Sequence, residues 1–384
     1  MDARLPLNSP QMDMEQPAQT ARVWDLPLRL FHWVMAAVVV VAGVTGFLAP
    51  EWWLGLHVIA GYALATLLSF RLVWGFVGTR YSRFGSFPLA LGGLYQHLRS
   101  IVRTNPKTVI GHNPAGAWMI IILLVALVTL VVSGLIALGG QENHGPLAAA
   151  TGFLAGEMAG EIHQIAAWGL AAAVAVHLLG VFAETRIFRH PVVAAMMIGR
   201  KAPPGSAVNV PRSAPTVRGA AWFMAIAGAL LVSGITLAGL PSSGWRALDT
   251  PAVYVSECGD CHAVYHPSLR TGEAWRSMMN GLENHYGEDA SLDEQTVSII
   301  QAYLVDNHAG TFDTEAAQRI GRVETPSLRM TDVAYWKSRH QGIAESVFRL
   351  NSVGSKVNCT ACHTDAASGR FDDVKIHLPE KDKP

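Results

Sequence analysis

Five apolar runs fill the first two-thirds of the chain, and a polar, mixed pattern follows them. The runs Leu28–Leu48, Trp52–Val77, Ala117–Leu138, Ile162–Phe182 and Ala220–Leu240 are each close to the ~20 residues a helix needs to cross a bilayer. Residues 1–20 are polar, carry three prolines and show no periodicity, which predicts a disordered tail. No basic n-region followed by a cleavage site is present there, so no removable signal peptide is read. Between the second and third runs, Pro88 to Val102 has the spacing of a short amphipathic helix lying on a membrane surface. The pattern therefore predicts an all-α membrane protein: a tail (1–20), a five-helix bundle (21–240) and a mostly helical C-terminal domain (241–384).

Charge orients the bundle. Half of the 384 residues are hydrophobic and only 15% are charged, too few for a soluble chain of this size. The net charge of zero hides an asymmetry, with +6 on residues 1–240 and −6 on residues 241–384. Arg4, Arg22 and Arg29 lie before or at the start of the first run. Arg80, Arg83, Arg99, Arg103 and Lys107 follow the second, and Arg186, Arg189, Arg200, Lys201, Arg212 and Arg218 follow the fourth. The connections at residues 49–51 and 139–160 contain no Lys or Arg. By the positive-inside rule the N-terminus is cytoplasmic, and five crossings put residues 241–384 outside, which in a bacterium is the periplasm. Arg71 is expected to snorkel to the cytoplasmic head groups, and Trp52, Trp53 and Trp74 to anchor the interfaces. The basic residues are membrane flanks rather than a patch on a folded module, so nucleic-acid binding is not expected.

Four histidines interrupt the apolar runs. His163 and His177 are fourteen residues apart in the fourth, which on a helix places them within roughly 40° of one face and about 21 Å apart along the axis. Ionisable residues at membrane depth are functional candidates by default. By depth, His32 is level with His177 on the cytoplasmic side, and His57 with His163 on the periplasmic side. Two level pairs suit bis-imidazole ligation of two iron porphyrins, giving two haem b groups. His97, His144 and His190 fall in connections and are expected to be solvated.

All four cysteines lie in two C-x-x-C-H pentapeptides, Cys258-Gly-Asp-Cys261-His262 and Cys359-Thr-Ala-Cys362-His363. Two thiols add to the haem vinyl groups and aim the adjacent histidine at the iron. The expectation is two covalently attached haem c groups, with Cys258, Cys261, Cys359 and Cys362 as attachment points and His262 and His363 as proximal ligands. The opposite ligand is open among His266, His285, His308, His340, His377, Met278, Met279 and Met330, although His266 is too near His262 to reach the far face easily.

The stretch Val23-Trp24-Asp25-Leu26-Pro27-Leu28-Arg29-Leu30-Phe31-His32-Trp33, His57-x-x-x-Gly61, Gly111-His112-Asn113-Pro114-Ala115-Gly116 and the His163/His177 spacing resemble the bacterial di-haem cytochrome b family. That family comprises cytochrome b561 and the hydrogenase cytochrome b subunits. The resemblance covers about Arg22 to Arg200 and implies a haem-b bundle exchanging electrons with the quinone pool. His112 is expected to be structural rather than quinone-proximal. Residues from Glu257 to about Pro379, with Leu282-x-x-His285-Tyr286-Gly287 and the closing Cys359–His363 followed by Asp365-Ala-x-x-Gly369-x-Phe371, resemble the bacterial dihaem cytochrome c family. That resemblance implies His285 and His340 as distal haem c ligands, to the first and second groups respectively.

The expected function is electron transport in the bacterial inner membrane, between the quinone pool or a membrane partner and a periplasmic redox protein, with a homodimer also open. A quinol:cytochrome c-type oxidoreductase activity would fit that role. Two other readings stay open: a terminal haem reductase with one free c-haem position, and a redox or gas sensor.

Overall fold

The computed structural model describes residues 21–103, 106, 109–201, 217–323 and 327–379, so the expected tail lies outside the described residues. The described residues are mostly helical. Strands β1 (Ala21–Arg22) and β2 (Arg200–Lys201) pair antiparallel, with Ala21 opposite Lys201. Seven helices follow β1 through the first 240 residues: α1 (Leu26–Phe47), α2 (Leu54–Val77), α3 (Leu91–Val102), α4 (Pro114–Gly140), α5 (Phe153–Phe182), α6 (Val192–Ile198) and α7 (Val217–Ala238). Of these, α1, α2, α4, α5 and α7 are long and apolar enough to cross a membrane. Apolar side chains such as Val40, Ile165 and Leu231 point outward, which suits a lipid surrounding as hydrophobic as leucine itself.

Polar caps set the helix starts. Asp25 accepts from the Leu28 amide (2.9 Å) at the start of α1. Asn113 accepts from the Gly116 amide (2.6 Å) with Pro114 as the first residue of α4, the position where a missing N–H costs nothing. Helix α3 matches the amphipathic stretch expected at 88–102. Helix α5 begins nine residues before the expected span, at Phe153 rather than Ile162. Its first turns, Phe-Leu-Ala-Gly-Glu-Met-Ala-Gly-Glu, contain good helix formers that are too polar to register as membrane span. Gly140 and Gly156 let α4 and α5 cross closely: a Cβ on Gly140 would stand 2.8 Å from the Gly156 Cα.

The C-terminal region forms α8 (Ala252–Gly259), α9 (Gly272–Met279), α10 (Glu294–Asp306), α11 (Ala334–His340) and α12 (Glu345–Phe348). Helices α8, α9 and α10 bury Tyr254, Trp275, Met279, Ile300 and Leu304 together. The Trp275 indole N–H donates to the Pro267 carbonyl (2.7 Å), and the Tyr254 hydroxyl to the Tyr265 carbonyl (2.7 Å).

Two compact units divide the chain: residues up to His32, Val73–Ile121 and Ala175–Gly219 make one, and Trp33–Leu72, Ile122–Val174 and Ala220 onward make the other. In the first, Asp25 is a hub. Its Oδ2 accepts from the Trp74 indole (3.0 Å), the Thr79 hydroxyl (2.8 Å) and the Ser82 hydroxyl (3.1 Å). Trp74 is therefore a buried donor to a capping carboxylate and not an interfacial anchor. Glu184 takes the Asn113 amide (2.9 Å) and His190 (2.6 Å), and His97 is half-buried on α3 with its Nε2 enclosed. In the second unit Arg71 is 3% exposed, so it is packed inside rather than snorkelling. His144 contacts Asp372 (2.8 Å) and Arg370 (3.2 Å). The expectation of solvated histidines therefore fails for His97 and His190, which are half-buried in folded segments, whereas the His144 side chain stays 41% exposed beside its polar partners.

Candidate haem-ligating histidine pairs

His57 on α2 and His163 on α5 face each other, ring centroids 5.9 Å apart and planes at 77°. Two metal–nitrogen bonds of about 2 Å, extended to the ring centres, put imidazoles on opposite sides of one metal roughly 6 Å apart. The pair has that separation.

The neighbouring helices settle which nitrogen faces inward. His57 Nδ1 lies 3.1 Å from the Ala42 carbonyl and 3.1 Å from Thr45 Oγ1, both on α1. His163 Nδ1 lies 2.9 Å from the Leu130 carbonyl and 3.2 Å from Ser133 Oγ, both on α4. A carbonyl can only accept, so each Nδ1 carries the proton and each Nε2 presents a lone pair. The hydroxyls are free to accept as well, because Thr45 donates to the Val41 carbonyl (2.8 Å) and Ser133 to the Thr129 carbonyl (2.7 Å). One arrangement serves both rings: a carbonyl at i, a hydroxyl at i+3 and a glycine at i+4. A Cβ on Gly46 would stand 3.0 Å from His57 Cε1, and one on Gly134 would stand 3.1 Å from His163 Cε1. This supporting shell was not anticipated; its sequence trace is the pair of dipeptides Thr45-Gly46 and Ser133-Gly134 inside apolar runs.

His32 and His177 belong to the other unit, both half-buried, and His177 is an electrostatic neighbour of His32. His112 packs between Trp24 (4.5 Å, planes tilted by 44°) and Phe87 (4.8 Å, edge-on at 63°), an environment that suits the structural role expected of it.

In the C-terminal region His262 and His285 stack at 6.2 Å and 28°, and His340 and His363 lie 6.1 Å apart at 58°. His262 Nδ1–H donates to the Ala263 carbonyl (2.9 Å) and His340 Nδ1–H to the Trp336 carbonyl (2.8 Å). The His340 ring also stacks on the Trp336 indole at 4.2 Å and 13°. Burial, then the nearby His340, holds the His363 imidazole down at about 4, so it is neutral and able to ligate at physiological pH. Burial likewise pushes the Cys258 and Cys359 thiols up to about 11; Cys261 is exposed and Cys362 half-buried.

The other open candidates are engaged elsewhere. His266 is buried against Phe312 (5.0 Å) with its Nδ1 2.8 Å from Ser268 Oγ. His308 donates to the Val305 carbonyl (2.8 Å), and His377 is exposed beside the Lys375 carbonyl (3.1 Å). Met279 is in the Trp275 core, and Met278 and Met330 pack on it. The ring separations, the inward lone pairs and the glycine clearances all fit an iron held between two imidazoles.

Apolar crossing helices that carry paired histidines, together with two thioether-type attachment motifs, define a membrane multihaem cytochrome. Residues 23–199 match the family model of prokaryotic cytochrome b561, and residues 254–371 that of dihaem cytochrome c; the chain belongs to these two families over those segments. Among curated relatives, the probable Ni/Fe-hydrogenase B-type cytochrome subunit of Azotobacter vinelandii is 36% identical over 117 residues, covering 24% of this chain and 49% of that protein. The Cupriavidus necator protein of the same description is 25% identical over 207 residues, covering 46% and 85%. The chain thus spans about half of the first relative and most of the second. Among solved structures, a diheme cytochrome c from Rhodobacter sphaeroides is 34% identical, covering 32% of this chain and 98% of that one, with a TM-score of 0.28. A diheme cytochrome c from Shewanella baltica is 33% identical, covering 34% and 97%, also with a TM-score of 0.28. The two families imply haem b in the membrane region, haem c in the C-terminal region, and electron transfer at a membrane as the function.

Proposed function

We propose that the chain carries electrons between the quinone pool and a periplasmic redox protein, in the bacterial inner membrane, with its N-terminus cytoplasmic and residues 241–384 periplasmic. His32 with His177 and His57 with His163 would hold two haem b groups. Two haem c groups would be attached at Cys258/Cys261 and Cys359/Cys362, ligated by His262 with His285 and by His363 with His340. When bound, each iron supplies a one-electron ferric/ferrous couple. The chain supplies position, ligand tautomer and a low-dielectric surround. The observation that carries this reading is the common separation of three ring pairs, 5.9, 6.2 and 6.1 Å, one in the membrane region and two at the attachment motifs.

A haem count by type on the purified protein, with a redox titration, tests it. Two non-covalent and two covalent haems, all low-spin, are expected; a high-spin centre would replace the carrier by the reductase with an open position. A second reading of the electron source, a membrane hydrogenase rather than quinol, is favoured by the names of the relatives that match residues in the cytochrome b561 region.

A further inference from the structure

The two attachment sites stand differently toward the helix ends of their own unit. Arg339, next to His340, ion-pairs with Glu51, which opens the 3-10 turn leading into α2, and lies 3.6 Å from Asp373. Val374 lies beside Gly55, where an added Cβ would stand 3.9 Å from Val374 Cγ1. The segment around Val374 is itself tied to the second attachment motif. Ile376 bridges His363, the His377 amide donates to the Cys362 carbonyl (2.8 Å), and the Thr364 amide to the Lys375 carbonyl (3.4 Å). The Asp373 amide donates to Glu142 Oε2 (3.1 Å), and Arg370 to the carbonyls of Glu142 (3.3 Å) and Asn143 (3.1 Å), just beyond α4. Glu51 precedes His57 by six residues, about 9 Å of helix. Among the described residues no hydrogen bond or ion pair joins residues 254–308, which contain His262 and His285, to the 33–72 or 122–174 segments; the lobe reaches α5 only through the stretch that follows, where Asp313 accepts from the Phe153 amide (2.9 Å) and Arg319 pairs with Glu157.

We infer that the His340/His363 site is the inner one, docked on the end of α2 that leads to His57, and that the His262/His285 site is the outer one, left for the soluble partner. This ordering rests on the proposed electron-carrier function. Arg339 acts as a positioning residue: its guanidinium reaches Glu51 and Asp373 while its backbone neighbour is His340.

The test uses the full haem-loaded chain in lipid nanodiscs. In Glu51→Arg and in Arg339→Glu, amide hydrogen exchange across residues 51–57 and 372–377 should quicken on the order of fivefold, the upper end for a partly exposed ion pair. Exchange across 282–288 should not change, and the double swap should restore protection. In Cys359→Ser/Cys362→Ser, the remaining covalent haem should still be reduced by dithionite but should lose at least tenfold in its rate of reduction by quinol. Unchanged exchange in both single variants, or a wild-type quinol rate in the doubly substituted chain, would overturn the order. If quinol reduces neither covalent haem in the wild-type chain, the electron-carrier reading falls instead.

Discussion

Glycine 134 is the sharpest place to test the membrane histidine pair. Alanine there would add a Cβ 3.1 Å from His163 Cε1 and 3.3 Å from Nδ1, whereas carbon contacts settle at about 3.5–4.0 Å. The ring must therefore retreat by roughly 0.5 Å. Its Nδ1–H is held by the Leu130 carbonyl at 2.9 Å, so the same movement stretches that bond past the ~3.2 Å limit of a good N–H···O contact. A metal ligand tolerates about 0.2 Å of misplacement. Loss of an outer-shell partner commonly costs 10–100-fold in metal affinity, about 1.4–2.7 kcal/mol. Gly134→Ala, and Gly46→Ala on the His57 side, should each lower retained non-covalent haem from two per chain toward one after detergent washing. Gly134→Leu should remove that haem outright. Gly43→Ala is the control, since a Cβ at Gly43 meets nothing within 4 Å. The readouts are the pyridine haemochrome count and the low-spin electron paramagnetic resonance signal. Full haem content and unshifted low-spin g-values in both alanine variants would refute the steric argument and, with it, the assignment of this ring pair.

Two further outcomes follow from charge. Burial pushes the Asp373 carboxyl up to about 6 from an unfolded value of 3.8; Arg339 pulls it down, and Glu315, Glu51 and Asp372 push it up. The folded state then keeps a proton that the unfolded chain releases between about pH 4 and 6, so stability falls as pH rises through that window and levels off above it. Asp373→Asn should flatten this part of a melting-temperature-versus-pH curve, and an unchanged slope would contradict the assignment. Residues 254–308 contain nine Asp or Glu and two Lys or Arg, against five and seven in residues 327–379. Association with a basic redox partner should therefore slow as salt rises, and Glu257→Gln/Asp260→Asn should lower the rate severalfold at low salt but not at high salt; equal rates at all salt concentrations would count against docking on this lobe.

Depth along a membrane normal is one-dimensional, and residue number reports it directly, which is why His57 could be matched to His163 without any structure. Rotation about a helix axis is legible too, through the 100° step that puts His163 and His177 on one face. Which carbonyl of a neighbouring helix meets Nδ1 depends instead on the offset and azimuth of two helices at once. Ala42 and Leu130 look like any other apolar position, so that shell stayed hidden. The same blindness explains Trp74 and Arg71. Their positions near a helix end suggested the interface, but Asp25, forty-nine residues earlier than Trp74, draws the indole inward. The contact of His144 with Asp372, 228 residues away, has no local sequence trace either.

The Nδ1 supports of His57, His163, His262 and His340 also separate the two regions physically. His340 is held by Trp336, four residues back on its own helix, and His262 by the residue that follows it. His57 and His163 are held by residues 15 and 33 positions away on other helices. The first kind of support forms as soon as a local turn forms, and covalent attachment would fix the ring further. The second exists only once α1 packs on α2 and α4 on α5. Loosening of helix packing, by detergent or by bulk at Gly46 or Gly134, therefore acts on the membrane pair while the pairs beside the cysteines keep their orientation.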